Sequence, residues 1–211
     1  MSQIPTTPTY WQDGIAHLIA VDAPLKAIIE AHPKSILQSR MDCFHTLMRS
    51  ITRQQISVQA ADSIWRKLEL IAPQVTPQNC ANLTPEQLRS CGFSRQKISY
   101  IQNLLEFESA GHLKLPELQT MTDAELITYI TQIKGIGKWS AEMFAIFCLM
   151  RSNILPLDDI GLQRAMSQQY GITSKPFDKA VALEIAHKWQ PYCTIATWFL
   201  WRSIDPSEVS Y

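Results

Sequence analysis

Signals for starting a helix recur along this chain so regularly that an all-helical fold is the only one to accommodate them. Asp22-Ala23-Pro24, Thr84-Pro85-Glu86-Gln87 and Thr122-Asp123-Ala124-Glu125 each set an oxygen-bearing side chain just ahead of a first turn containing proline or an acid. Such a side chain accepts an orphan backbone N–H, and a Glu or Gln three residues on can reciprocate. Asp42, Ser57 and Ser94 offer the same cap ahead of apolar runs, and Gly92 offers a stop. The runs themselves have helical period: Phe44, Leu47, Met48 and Ile51; then Ile64, Trp65 and Leu68; then Ile98, Ile101, Leu104 and Leu105. Further helices are predicted over 11–20, from Asp22 to about His32, from Ile160 to about Gln169, over 178–189 and over 191–204, behind an extended lead-in at 1–10. No convincing strand alternation, repeat or low-complexity tract interrupts them. The fold class is all-α.

A chain of 211 residues that is 46% hydrophobic can fill a real core, as one domain or as two lobes sharing a cleft. With 18% charged residues it is not a disordered chain, and at a formal net charge of +0 any grip on a polyanion has to be local. Cys43, Cys80, Cys91, Cys148 and Cys193 form no CxxC pair and no metal-ligand spacing, so free thiols in a reducing compartment are expected. The histidines form no metal-binding pair either. No apolar run approaches the ~20 residues of a membrane span and no signal peptide opens the chain. A soluble, intracellular protein is expected.

One stretch, Ile133 to Arg164, carries most of the chemical information. Lys134-Gly135-Ile136-Gly137-Lys138 is a tight turn between two helices, in which glycine supplies the φ > 0 such a turn needs and lets another backbone come close. The following helix starts with unpaired N–H groups and a partial positive charge. With Lys134 and Lys138 beside it, that start suits a phosphate. A helix length later comes Pro156-Leu157-Asp158-Asp159, an acidic pair at another helix start. A phosphate grip with a carboxylate a fixed helix away is a geometry for acting on a nucleic-acid sugar.

The order of three motifs makes this pattern specific: Arg53-Gln54-Gln55-Ile56-Ser57, Gly92-Phe93-Ser94-Arg95-Gln96-Lys97, and Ile133-Lys134-Gly135-Ile136-Gly137-Lys138-Trp139-Ser140-Ala141 followed by Leu155-Pro156-Leu157-Asp158-Asp159. Together they resemble the helix-hairpin-helix DNA glycosylases, and most of all the alkyl-base branch of 3-methyladenine DNA glycosylase II. The resemblance covers most of the chain. It implies a two-lobed helical fold, with a central lobe over 45–155 that contains the hairpin, a second lobe from 1–44 plus 156–211, and an active site in the cleft between them. Some relatives carry four closely spaced cysteines near the C-terminus for an iron–sulfur cluster; Cys193 alone stands there, so no cluster is expected.

By this resemblance Asp159 is the catalytic aspartate. Breaking an N-glycosidic bond builds positive charge on the deoxyribose, which a nearby carboxylate stabilises while orienting the attacking water. The alternative for Asp158 or Asp159 is a plain helix cap, with Asp158 the structural one of the pair. Bifunctional relatives have a lysine where Trp139 stands, and its amine forms a Schiff base with the sugar. Trp139 therefore implies direct hydrolysis without strand cleavage. Its indole face also suits a cationic methylated purine, flipped out of the duplex and stacked. Trp201 matches a pocket tryptophan of the family, and Met143 stands where some relatives have tyrosine. Trp65, Trp189 and Trp198 are read as core.

Gln54 and Gln55 interrupt a helix without capping it. By resemblance Gln55 plugs the hole left by the flipped base, a position some alkyl-base members fill with leucine. Ser94 and Lys97 are candidate phosphate contacts, alongside Gln54, Lys134, Gly135, Gly137 and Lys138 in the DNA-binding set, and Arg53 is either a phosphate contact or a surface charge. The implied partner is double-stranded DNA containing damaged bases, bound by a monomer. No organic cofactor or metal is implied beyond a monovalent cation that family members hold with hairpin carbonyls. The rivals are a helix-hairpin-helix glycosylase for deaminated bases such as hypoxanthine or uracil, and a non-catalytic DNA-binding module.

Overall fold

The structure, a computed structural model, describes residues 6–205, so part of the expected lead-in over 1–10 lies outside the described residues. The described residues are helical, and their single β-bridge, between Thr6 and Ser39, belongs to no strand. Two compact units are present, one Met41–Leu149, the other made of the chain up to Arg40 and again from Met150. Both boundaries fall between helices rather than within them.

The helices in chain order are α1 (Trp11–Val21), α2 (Ala23–Ala31), α3 (Cys43–Arg53), α4 (Val58–Ile71), α5 (Pro77–Ala81), α6 (Pro85–Cys91), α7 (Arg95–Ser109), α8 (Leu115–Thr120), α9 (Asp123–Ile130), α10 (Lys138–Phe147), α11 (Ile160–Tyr170), α12 (Lys179–Ala186) and α13 (Cys193–Ile204), with 3₁₀ turns at Pro73–Val75 and His187–Trp189. The capping signals work as the sequence implies. Asp22, Asp42 and Ser94 accept the N–H groups of Leu25, His45 and Lys97, and Thr84 and Thr122 form full capping boxes. Gly92 ends α6 at φ 109. The short helices α5 and α8 escape a reading by periodicity, because fewer than two turns carry no repeat. The predicted helix over 178–189 changes to 3₁₀ geometry at His187, and the one predicted from Pro191 starts only at Cys193.

In the Met41–Leu149 unit α3 is the axis, packed by α4, α7 and α10. The sequence marks one apolar face on α3, yet every residue from Cys43 to Thr52 is buried. Of its polar members Arg49 is the largest, and it donates to Asp62 Oδ1 at 2.7 Å and lies 4.8 Å from the centre of the Trp65 ring. A buried guanidinium is tolerable only with such partners. In the other unit α13 packs on α1, α2 and α11. Asp22, itself buried, caps α2 and also takes the Trp189 indole N–H at 2.7 Å and the Tyr170 hydroxyl at 3.1 Å. Trp65, Trp189 and Trp198 are buried.

All five cysteines are buried and none forms a disulfide; desolvation pushes the Cys80 thiol up to about 11 and that of Cys193 up to about 12. Among the described residues no helix is long and apolar enough to cross a membrane, and no cluster of His, Cys, Asp or Glu is arranged to hold a metal.

Candidate active site

The hairpin between α9 and α10 owes its shape to two glycines with different jobs. Gly135 sits at φ 102, in the left-handed region, and a Cβ there would come within 2.1 Å of the Tyr100 ring. Only glycine fits both the conformation and the space. Gly137 has an ordinary extended backbone, φ −89 and ψ 177, and a Cβ on it would meet nothing within 4 Å. The expectation of a positive φ thus holds at the first glycine and fails at the second. Gly137 matters for what it omits: as the N-cap of α10 it brings no side-chain oxygen, so no side chain caps the first turn. A helix start of that kind is open to an outside acceptor.

The turn is braced from two sides. Asn103 of α7 donates its amide to the Lys134 carbonyl at 3.0 Å, three residues on from Tyr100, whose ring covers Gly135. From α3, Gln54 Nε2 donates to the Gly135 carbonyl at 3.0 Å and to Ser140 Oγ at 3.1 Å. Gln54, expected on the DNA, has its amide turned into the protein instead. Gln55 next to it is exposed, at φ 57. For a residue with a Cβ, this left-handed conformation costs about 1–2 kcal/mol.

Other expected DNA contacts have internal partners. Lys97 donates from Nζ to the Thr52 carbonyl at 2.7 Å, and desolvation holds its pKa below the usual lysine range. An ammonium so placed closes the C-terminal end of α3 rather than reaching outward. The Ser94 hydroxyl is the cap of α7. Arg53, with its side chain 9% exposed, faces Asp62 at 3.7 Å. Lys134 is exposed, and Lys138, also exposed, sits 3.5 Å from the buried Glu142 one turn on. Trp139 is half-buried, whereas Met143 is 2% exposed. Met143 can back a pocket but has almost no surface to offer a base.

The acidic pair belongs to the other unit. Asp159 is the N-cap of α11: its Oδ1 accepts the Leu162 N–H at 2.6 Å and the Trp201 indole N–H at 2.9 Å. Of the two roles the sequence offers this residue, the cap is seen directly, and the cap leaves room on the same oxygen for the indole N–H. Asp158 is exposed and pairs with Lys179 at the start of α12. Gly161 stands beside the carboxylate, and a Cβ there would lie 3.0 Å from Asp159 Oδ1 and 3.5 Å from the Trp201 ring. Gln163 donates to the Leu157 carbonyl at 2.8 Å, holding the turn that leads in. Tyr100, Asn103 and Gly161 were not legible as site residues, because each acts through a neighbour brought close only by folding.

A sequence model of the HhH-GPD superfamily of base excision DNA repair proteins matches residues 48–191. The alkylbase DNA glycosidase-like protein mag2 of Schizosaccharomyces pombe is 32% identical over 166 residues, covering 75% of this chain and 76% of that one. The crystal structure of a DNA-3-methyladenine glycosidase from Bacillus halodurans superposes with a TM-score of 0.76 at 31% identity, over 95% of this chain and 92% of the other. The 3-methyladenine DNA glycosylase of Schizosaccharomyces pombe, solved with abasic DNA, gives 0.80 at 27% identity, over 90% and 96% of the two chains.

Proposed function

The chain belongs to the HhH-GPD superfamily of base excision DNA repair proteins, and we propose that within it this protein is a monofunctional DNA glycosylase that removes alkylated purines and leaves an abasic site. The observation that carries this reading is the carboxylate of Asp159, held by the Leu162 N–H and the Trp201 indole at the start of α11. Two donors on one oxygen fix the orientation of the group. When the bond from C1′ to the purine nitrogen breaks, the electron pair leaves with the base and the sugar becomes cationic. A fixed anion stabilises that state without reorganising. Water then bonds to C1′, and its proton passes to the carboxylate. A purine methylated at N3 or N7 already carries the positive charge and departs neutral, so no general acid is required for it.

Trp139 supports both the substrate and the outcome. Its indole can attract a cationic base by about 0.5–2 kcal/mol, and it puts no amine where a Schiff base would need one. Phosphate binding falls to the uncapped start of α10 with Lys134 and Lys138, and base displacement to Gln55. A monovalent cation would draw on hairpin carbonyls, of which those of Lys134 and Gly135 each also accept one amide N–H. The working unit is a monomer acting inside the cell, where its DNA is.

The test is to incubate the protein with methylated duplex DNA and identify the released bases by mass spectrometry. Free 3-methyladenine and 7-methylguanine are expected. Release confined to hypoxanthine or uracil would transfer the assignment to deaminated bases, and binding without release would make the protein a DNA-binding module.

A further inference from the structure

We infer that Gln54 is a positioning residue that locks the base-displacing turn at Gln55 to the phosphate-binding hairpin, so that the two act on DNA as one rigid piece. The inference rests on the glycosylase reading above. Both protons of a single carboxamide are engaged, one by the Gly135 carbonyl and one by the Ser140 hydroxyl, across 81 and 86 residues of sequence. A carbonyl can only accept, so the amide nitrogen must be the atom facing Gly135. The clamp therefore spans three pieces: the C-terminal end of α3, the left-handed residue of the hairpin, and the first turn of α10.

What the clamp holds is not otherwise relaxed. Gln55, the next residue, is left-handed at φ 57, and Ile56 and Val58 beyond it are 38% and 44% exposed. A strained, outward-pointing turn persists only where its surroundings determine it. Gln54 fixes it on one side, and Lys97, bonded to the Thr52 carbonyl, fixes it on the other. The Tyr100 ring lies over Gly135, where an added Cβ would come within 2.1 Å of it. Seating the hairpin on a phosphate thus sets where Gln55 enters the duplex.

The test compares wild type, Gln54→Leu, Gln55→Ala and Ser140→Ala on duplexes carrying 2-aminopurine beside an abasic site, reading affinity for undamaged DNA and the fluorescence of the unstacked base in parallel. Gln54→Leu keeps the volume but donates nothing, and is expected to lower affinity on the order of 10-fold and the unstacking signal with it. Gln55→Ala, which shortens the side chain but not the turn, is expected to lower the signal far more than the affinity. Ser140→Ala, which removes one acceptor, is expected to lower both to a smaller degree, and it decides the matter should Gln54→Leu fail to fold. A folded Gln54→Leu protein that loses the signal at unchanged affinity, or loses neither, overturns the inference, as does a Ser140→Ala protein equal to wild type. Release of alkylated base by the wild type is scored separately: its absence sinks the glycosylase reading, whereas the variants alone decide the clamp.

Discussion

The Trp201 indole N–H donates to Asp159 Oδ1 over 2.9 Å, joining the last helix of the chain to the cap of α11. The same oxygen takes the Leu162 N–H at 2.6 Å. One carboxylate therefore starts a helix and is held by a tryptophan, and its capping role can be separated by substitution from the catalytic role proposed for it.

Asp159→Asn should do so. Asparagine caps a helix about as well as aspartate, so thermal stability should hold while the negative charge disappears. Excision of methylated purines is expected to fall by on the order of 10²-fold or more, with damaged-DNA affinity retained. Asp158→Asn weakens an exposed pair with Lys179 and should keep most of the activity. Single-turnover rates on one methylated duplex decide it; near-normal turnover in Asp159→Asn would move the catalytic role elsewhere.

Trp201→Phe and Gly161→Ala should both misplace the carboxylate without discharging it. The first deletes a hydrogen bond to a charged group, at a cost of roughly 10-fold or more in rate. The second inserts a methyl 3.0 Å from Asp159 Oδ1, and the carboxylate has to give. Alanine is the better helix former by about 1 kcal/mol, so Gly161→Ala is expected to lose excision with little change in Tm. A Gly161→Ala protein of full activity would show that the carboxylate is not tightly placed.

The two hairpin glycines should part company. Gly135→Ala forces a side chain into the left-handed region and against the Tyr100 ring, and should cost on the order of 2–4 kcal/mol of stability. Gly137→Ala meets no atom of the protein, so its Tm should be unchanged. Its binding to damaged and undamaged DNA should weaken alike, because a phosphate contact carries no base information, and the remaining affinity should fall with added salt. Loss of damage preference at full general affinity would contradict the phosphate role.

Borohydride should trap no covalent adduct between this protein and its DNA. Trp139 has no amine to form the Schiff base, and Lys138 lies about 100° further round the helix, beside Glu142. The product strand should remain whole until heat or alkali breaks it at the abasic site. Efficient trapping by the wild-type protein would overturn the monofunctional assignment.

The sequence by itself determined what depends on near neighbours along the chain. Asp22, Thr84 and Thr122 reach N–H groups no more than three residues away, so their helix starts were legible from spacing alone, and so was the glycine turn at Gly135. Asp159 was legible as a cap from its place ahead of Ile160, whereas its proposed catalytic role rests on the family resemblance and not on spacing. Tertiary structure decided what each polar side chain turns to. Gln54, Arg53 and Lys97 look outward-bound in the sequence, yet folding brings them to the Gly135 carbonyl, to Asp62 and to the Thr52 carbonyl. Those partners answer a general need, since a polar group removed from water has to be satisfied where it stands. The bond from Trp201 to Asp159 spans 42 residues, and the space that Gly161 leaves beside it exists only once α11 and α13 have packed. No local rule carries that distance, because it is set by where two helices come to rest.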